Sequence, residues 1–367
     1  MVRLHPFSSP RFTGRLASLL VGMALLLRLN VGGFAQETYK WSVQYLIDNS
    51  QPVFGHPQLN FPRQNRSLAL SADGKCLYAA YLHSFNHSGE VRRIRLDEPD
   101  YENATIHILP NILAKAIAVD PDGRVYLAEA DQISVFDSRL RQFQYGVDVP
   151  NSDGVAVTKE GGKLVLYATI RTRNVLTRWE LSTENNQVTK ADPKGLESEG
   201  ELKIPEAKSL RGVAIDKKGR IWMADHDGNR IYRVNSDGKG LISKEITTPL
   251  ALAFDGDRCF ITQDREDSIA ITDLEMNPVG TLSVPWQELA LSPLGNNHMG
   301  GLAGIVIIPG KGFYVANPGG QTANQRSTYG REDANSGLIE GKYFTDTVLD
   351  DNEPILHASL VPPDAKP

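Results

Sequence analysis

The stretch Lys208–Gly238, KSLRGVAIDKKGRIWMADHDGNRIYRVNSDG, constrains the fold more than any other part of the chain. Its segments GVAI, RIWMAD and RIYRVN have the apolar alternation of strands, and DKKG, HDGN and SDG are turn sequences. A sheet made of such short strands cannot bury both of its faces alone. It must stack against similar sheets, so the chain is expected to contain further copies of this unit.

Weaker copies of this pattern recur along the chain. They are Ser67–Leu82, Lys115–Asp137, Asp153–Ile170, Leu250–Leu274 and Gly304–Pro318. One apolar residue marks the same strand position in each unit: Ala69, Ala118, Ala156, Ala214, Ala253 and Val306. The spacings between these positions are 49, 38, 58, 39 and 53 residues, near the ~40–50 residues of a propeller blade. The repeats predict an all-β fold, a closed six-bladed β-propeller. An open β-sandwich array is the alternative, and the repetition of one pattern disfavours it.

The repeats also carry a family resemblance. GVAIDKKGRIWMADHDGNRIYRVNSDG resembles an NHL repeat, and SADGKCLYAAY and DPDGRVYLAEA resemble blade starts of NHL, YVTN and senescence-marker/gluconolactonase propellers. The resemblance covers roughly residues 66–344 and is most specific in the second and fourth units. It implies the propeller fold. Because these families include lyases, lactonases and binding scaffolds, the resemblance defines the fold better than the function.

Residues 1–35 have the pattern of a secretory signal peptide. Basic residues precede the apolar run Leu16–Leu27, and small residues at Gly33 and Ala35 permit cleavage before Gln36. The run is too short to span a bilayer as a helix. We therefore expect a secreted or periplasmic protein with no membrane span after cleavage. An uncleaved anchor is the alternative.

The remaining chain divides into a propeller at residues 36–345 and a C-terminal tail at residues 346–367, which is rich in Asp and Pro. The blades are expected to start near residues 66, 115, 153, 211, 250 and 303. The segment Tyr39–Ile47 reads as a strand without a blade of its own. In a ring it would become the outer strand of the last blade, which would close the propeller and remove free sheet edges.

Cys76 and Cys259 are the only cysteines, and both fall on the second strand of a blade. Equivalent positions in non-neighbouring blades lie too far apart for a disulfide, which needs Cα atoms within about 7 Å. We expect both to be buried free thiols.

Charged residues mark the starts of the innermost strands. The residues three positions before each repeat marker are Arg66, Lys115, Asp153, Arg211, Leu250 and Ala303. In a propeller these positions converge on one mouth of the central tunnel, and arginine there offers forked donors to carboxylate or phosphate. Arg66, Lys115, Asp153 and Arg211 are therefore predicted to bind a small anionic or polar ligand. In the alternative, Asp153 only neutralises its neighbours and the tunnel holds water.

The gluconolactonase resemblance implies a divalent metal held by a Glu, an Asn and an Asp at blade starts. Asp153 matches the Asp, but Arg66 and Lys115 occupy the other two positions. One oxygen ligand among cations does not make a site for a hard metal ion. We therefore expect no metal and no cofactor, unless Asn111 or Asn151 is recruited from adjacent loops.

Two histidines and one long loop complete the candidates. His226 lies in the turn ADHDGN, where a structural role is expected. His298, in GNNHMGGLAG, could reach the mouth and act as a general base with Asp153 as its partner. The loop Asn317–Gly337 has the length of a binding loop or of a disordered segment.

A net charge of −5 and a pI near 5.9 show no basic excess, so no nucleic-acid partner is expected. The prediction is an exported, monomeric propeller that binds a small anionic or polar ligand, or a protein, at the tunnel mouth. The alternative is a propeller hydrolase or lyase of the gluconolactonase-like or amidating-lyase-like type, with its active site at the same mouth.

Overall fold

A computed structural model shows that the protein is a six-bladed β-propeller. The structure describes residues 38–44, 63–83, 89–98, 104–196, 200–264, 266, 268–284, 291–292, 302–316, 321–322 and 355–361. Six small antiparallel sheets form the blades. The innermost strand of each blade packs against that of the next, and the last packs against the first, so the ring is closed.

The strands follow one another through the blades in chain order. The first strand, β1 (Thr38–Gln44), belongs to the last blade. Blade one consists of β2 (Arg63–Leu70), β3 (Cys76–His83), β4 (Gly89–Arg95) and β5 (Thr105–Pro110). Blade two consists of β6 (Ala116–Val119), β7 (Val125–Ala128), β8 (Ile133–Phe136) and β9 (Phe143–Val147). Blade three consists of β10 (Ser152–Glu160), β11 (Lys163–Ile170), β12 (Val175–Glu184), β13 (Gln187–Pro193) and β14 (Glu201–Lys203).

The second half of the ring is built in the same way. Blade four consists of β15 (Leu210–Ile215), β16 (Ile221–Asp225), β17 (Arg230–Val234) and β18 (Ile242–Glu245). Blade five consists of β19 (Pro249–Asp255), β20 (Arg258–Gln263), β21 (Ser268–Asp273) and β22 (Pro278–Ser283). A two-residue pair joins β23 (Leu291–Ser292) to β26 (Gln321–Thr322). Blade six consists of β24 (Ile305–Ile308), β25 (Gly312–Ala316), β27 (Ile355–Val361) and β1.

The repeat markers found in the sequence share one register position. Each pairs with an aromatic residue of the second strand: Ala69 with Tyr78, Ala118 with Tyr126, Ala156 with Tyr167, Ala214 with Trp222, Ala253 with Phe260, and Val306 with Tyr314. All six aromatic side chains are buried. The buried apolar residues form six clusters, each between neighbouring blades and each containing one of these rings. An alanine, or a valine in blade six, opposite a large ring therefore allows neighbouring blades to pack closely.

The turn after the inner strand is held by an aspartate. In blade two, Asp120 accepts hydrogen bonds from Arg124 Nε at 2.5 Å and from the Tyr126 hydroxyl at 2.9 Å. Arg124 Nη1 also donates to Asn186 Oδ1 of blade three at 2.9 Å. The turn sequence DPDGRVY thus orients its own strand pair and links it to the next blade.

Blade six is completed from both ends of the described chain. β1 is its outermost strand and pairs with β27 from Thr38↔Val361 to Gln44↔Ile355, which confirms closure by an N-terminal strand. The prediction of a tail at residues 346–367 is wrong for the segment that forms β27. This segment, ILHASLV, pairs with β25 on one side and with β1 on the other, and it buries Ala358 completely between them.

Cys76 and Cys259 are free and buried, as predicted. Burial raises the pKa of both thiols, because the ionised form loses its hydration.

Three other predictions fall outside the described residues: the signal peptide at residues 1–35, His298, and most of the loop at 317–337. Within the described ranges, no helix has the length and apolar character needed to cross a membrane.

The topology of blade six predicts unequal effects of removing its two outer strands. Truncation before Ile355 should lower the melting temperature more than deletion of Thr38–Gln44, because β27 has two partner strands and β1 has one. Thermal unfolding followed by circular dichroism would measure both variants. A truncated protein that melts like the wild type would contradict the assignment of β27 to the blade.

Candidate functional site

The starts of the inner strands surround a cavity of about 410 Å³ on the propeller axis. Arg66, Lys115, Asp153 and Arg211, which the sequence singles out, all line it, and so does Leu250. Ala303 is fully buried, and the next residue of blade six lines the cavity instead. The structure therefore brings the four predicted ligand-binding residues together. Their binding of a ligand stays a prediction.

Irregular pairing of the inner strands shapes the mouth. The register between first and second strands shifts at Asn65/Ser67, Ser152/Gly154, Leu210/Val213 and Pro249/Leu252. Arg66, Asp153, Arg211 and Leu250 lie within these shifts. A bulge bends its strand and re-aims the side chains beside it. In these four blades, consecutive residues around the shift line the cavity. In blade two, residues 115–117 also line it, beside a strand pair with regular register.

The lining forms three levels from the mouth inward. The first holds Arg66, Lys115, Asp153, Arg211 and Leu250. The second holds only small residues, Ser67, Ala116, Gly154, Gly212, Ala251 and Gly304. The third, which we call the apolar floor, holds Leu68, Ile117, Val155, Val213, Leu252 and Ile305. The floor residues are 5–8% exposed. Each of them also belongs to the packed core between two blades, so the cavity combines a charged mouth with little exposed apolar surface below it.

Arg171 is a further cation at the mouth, and the sequence pattern did not reveal it. It begins the turn after β11, and its Nε lies 3.0 Å from Asp153 Oδ2. Lys115 Nζ lies 3.4 Å from the other oxygen, Asp153 Oδ1. The carboxylate is 8% exposed, whereas the Arg171 side chain is 42% exposed. Asp153 is thus a buried counter-ion held between cations from blades two and three.

Among the described residues that line the cavity, positive charges outnumber negative ones. Arg66, Lys115, Arg171 and Arg211 face the single carboxylate of Asp153 among the described lining residues, an excess of three positive charges. The Nε of Arg211 is buried and has no hydrogen-bond partner in the described part of the chain. The arrangement is suited to an anion that accepts hydrogen bonds from guanidinium groups.

The residues at the mouth do not fit a divalent metal ion. Asp153 is the only carboxylate in the described lining, and cations contact both of its oxygens. Asn111 and Asn151 do not line the cavity and adopt the left-handed backbone conformation, with φ of 59° and 60°. No group of three His, Cys, Asp or Glu side chains that could hold a metal ion occurs among the described residues. Hard cations need several oxygen ligands, and among the described lining side chains only Asp153 supplies a carboxylate.

His226 links blades four and five beside the mouth. Its Nδ1 lies 2.7 Å from Asp227 Oδ1, and its Nε2 lies 3.0 Å from Asp264 Oδ2, in the turn after β20. The hydrogen bond to Asp264 raises the pKa of His226, and Asp227 adds to this effect against the cost of burial. The hydrogen bond with His226 lowers the pKa of Asp227. The turn role predicted for His226 is confirmed, and the contact with Asp264 extends it to the next blade.

The sequence matches no protein-family profile and no curated protein. Among solved structures, catalytically inactive virginiamycin B lyase from Staphylococcus aureus, solved with quinupristin, is 12% identical. Its TM-score is 0.50, over 88% of this chain and 100% of that chain. Regucalcin from Agrobacterium tumefaciens, a calcium-binding protein, is 10% identical, with a TM-score of 0.47 over 87% and 95% of the two chains. A chain of a nidogen/laminin complex is 17% identical, with a TM-score of 0.47 over 63% and 83%. At such identities, the likeness to the lyase shows the fold alone.

The His226 cluster predicts a pH-dependent contribution to stability. Below about pH 6.5, the usual histidine pKa, protonated His226 donates to both carboxylates and contributes fully. The contribution is lost as pH rises through the raised folded-state pKa of His226. At the acidic end, the contribution of Asp227 is present above its usual pKa of 3.8 and is lost as pH falls through its lowered folded-state pKa.

We expect His226→Gln to lower the free energy of unfolding by on the order of 1 kcal/mol near about pH 5.5, and by less near about pH 9. Urea denaturation of wild type and variant at both pH values measures the two differences. A difference that does not change with pH would show that the imidazole acts only through packing.

Proposed function

We propose that this protein is an exported binding module that takes up a small anionic ligand at the mouth of its central cavity. The single observation that carries the proposal is the group of four cations around one carboxylate, with the excess charge at a cavity mouth. The pattern of residues 1–35 supports export.

The physical basis is the addition of electrostatic fields in a confined space. Charges of one sign in a cleft with low-dielectric walls concentrate counter-ions and guide them to the cleft. Guanidinium groups then hold a carboxylate or phosphate through paired, charge-assisted hydrogen bonds. Asp153 keeps Lys115 and Arg171 in place through its two contacts, which reduces the ordering cost when the ligand binds.

The dimensions of the cavity favour a small molecule over a protein partner at this position. A volume of about 410 Å³ lies within the ~300–1,000 Å³ of small-molecule sites. The surroundings of Asp153 favour binding over hydrolase or lyase chemistry at this residue, because a carboxylate engaged by two cations acts as a counter-ion. A general base would need an oxygen directed at the substrate.

Anion binding should stabilise the folded protein. At ~100 times its dissociation constant, a ligand adds ~2.7 kcal/mol to the free energy of unfolding, which corresponds to at least a few degrees in a domain of this size. We expect phosphate, citrate or glucuronate to raise the melting temperature more than chloride does at matched ionic strength. The Arg211→Gln variant should lose most of this difference, since glutamine keeps a polar side chain but has no charge.

Arg95→Gln is the matched control, because Arg95 is 43% exposed and pairs with Asp97 on the surface. Kosmotropic anions stabilise all folded proteins by exclusion, and that general effect should be equal in the wild type and both variants. Equal shifts in all three proteins would therefore refute a specific anion site.

Export has a separate test. Expressed from residue 1 in a host that secretes proteins, the mature chain should begin at Gln36. Mass spectrometry of the intact protein recovered outside the cytoplasm measures this directly. A cytoplasmic product that retains residues 1–35 would contradict export.

A further inference from the structure

We propose that the ligand is a compact polyanion, a small molecule with at least two negative charges on carboxylate or phosphate groups, held between cations from neighbouring blades. This inference rests on the proposed function, because it identifies the class of anion that the same cavity accepts. It excludes acids with a single negative charge as the best ligands.

The number of charges at the mouth is the first reason. Lys115, Arg171 and Arg211 each add a positive charge to the described lining, and the carboxylate of Asp153 offsets one of the three. Two positive charges therefore remain, and Arg66 is a further cation in the same lining. A ligand with one negative charge would leave part of this excess in place. Each additional charge on the ligand lowers the repulsion among the cations further.

Two carboxylates beside the mouth, those of Asp227 and Asp264, do not change this reasoning. His226 engages one oxygen of each, at 2.7 Å and 3.0 Å. Neither residue lines the cavity. A ligand inside the cavity therefore meets the cations of the lining and not these two carboxylates.

The spread of the donors around the mouth is the second reason. Lys115 comes from the start of blade two, Arg171 from blade three and Arg211 from blade four. An arginine offers five N–H donors and a lysine three. The Nε of Arg211 is buried and has no hydrogen-bond partner in the described part of the chain. A single carboxylate has two oxygens at one position, so acceptor groups at two positions match donors from three blades better.

The polar surface of the cavity is the third reason. The six residues of the apolar floor are packed in the cores between neighbouring blades, so they offer little surface to a ligand. Above them, Gly154, Gly212 and Gly304 present backbone to the cavity, and its exposed surface is more polar than apolar. Binding energy must then come from polar and charged groups of the ligand. A volume of about 410 Å³ accommodates several such groups.

Three compounds with one carbon skeleton test the proposal. Succinate, succinamate and succinamide have the same length and carry two, one and no negative charges at about pH 8. Isothermal titration calorimetry of the full chain, at constant ionic strength, measures the dissociation constant of each. Succinate should bind about tenfold more tightly than succinamate, because the second charge adds a charge-assisted hydrogen bond with a cation of the mouth. Succinamide should bind most weakly.

Phosphate esters distinguish the two sources of negative charge. At the same pH, methyl phosphate carries two charges on one group and dimethyl phosphate carries one. Methyl phosphate should bind more tightly than dimethyl phosphate. An affinity for methyl phosphate above that for succinate would assign the ligand to phosphate esters. An affinity below it would assign the ligand to acids with two separate carboxylates, which the spread of the donors favours.

Matched variants locate the preference for the second charge. Arg171→Gln and Arg211→Gln each remove one charge from the mouth and keep a polar side chain, so each should reduce the ratio of succinate to succinamate affinity several-fold. Arg95→Gln removes a charge from the surface pair with Asp97 and should leave the ratio unchanged. The Arg171 side chain is 42% exposed, so its variant keeps the test available if Arg211→Gln does not fold.

Each outcome has a distinct meaning. Tighter binding of succinate than of succinamate, with a ratio that falls in the mouth variants, supports the proposal. Equal affinity for succinate and succinamate, with both above succinamide, would overturn it and leave the anion site intact. A ratio that persists in both mouth variants would also overturn it, because the second charge would then bind elsewhere. No binding of any acid, phosphate or citrate would refute the proposed function itself.

Discussion

The close approach of the inner strands around the axis is the constraint on which the rest of the structure depends. A Cβ at Gly154 would overlap the carbonyl oxygen of Arg211, and a Cβ at Gly212 would overlap that of Leu250. Thr169 donates a hydrogen bond to the same Arg211 oxygen, so blades three and four are joined where they are closest. Each inner strand is thus braced by the next, and the mouth residues are held at fixed positions around a narrow cavity. A larger residue at either glycine would force the strands apart.

Ionic contacts near the inner-strand turns reinforce this bracing. In blade four, Asp216 accepts hydrogen bonds from Arg220 Nε at 2.7 Å and Trp222 Nε1 at 2.9 Å, as Asp120 does in blade two. The guanidinium of Arg220 then crosses to blade five, where it donates to the Leu274 carbonyl at 2.8 Å and to Glu275 at 3.1 Å. One arginine therefore shapes its own turn and connects neighbouring blades. These links between blades are made by residues that lie outside the lining of the cavity.

The sequence predicts the fold well because every blade repeats an alanine or valine opposite a buried aromatic ring. In each blade this pair packs against the neighbouring blade. The sequence also places Arg66, Lys115, Asp153 and Arg211 at the cavity, since a fixed offset from the repeat marker is a fixed position on the inner strand. The repeat pattern does not predict Arg171 at the cavity, because this residue begins a turn. It lies beside Asp153 because β11 runs antiparallel to β10. The pattern does not predict β27 either, because a long segment separates this strand from the rest of blade six, and its flanks resemble a tail in composition. The sequence therefore predicts the strand register within a repeat, but it does not predict contacts between a turn and a distant strand.

The charge at the mouth is not a requirement of the fold. Blade five has Leu250 and blade six has Ala303 at the mouth position, and both blades pack into the ring as the others do. Apolar residues are therefore compatible with the repeat at this position. Cations in a low-dielectric cleft repel one another, and Asp153 offsets this only for the two that it contacts, Lys115 and Arg171. Arg211 adds a further positive charge, and its Nε is buried without a hydrogen-bond partner in the described part of the chain. A departure from what the fold needs, at a cost in stability, is expected where function resides. Under the proposed function, a bound carboxylate would lower the repulsion among the cations at the mouth, and the same charges would contribute binding energy for the anion.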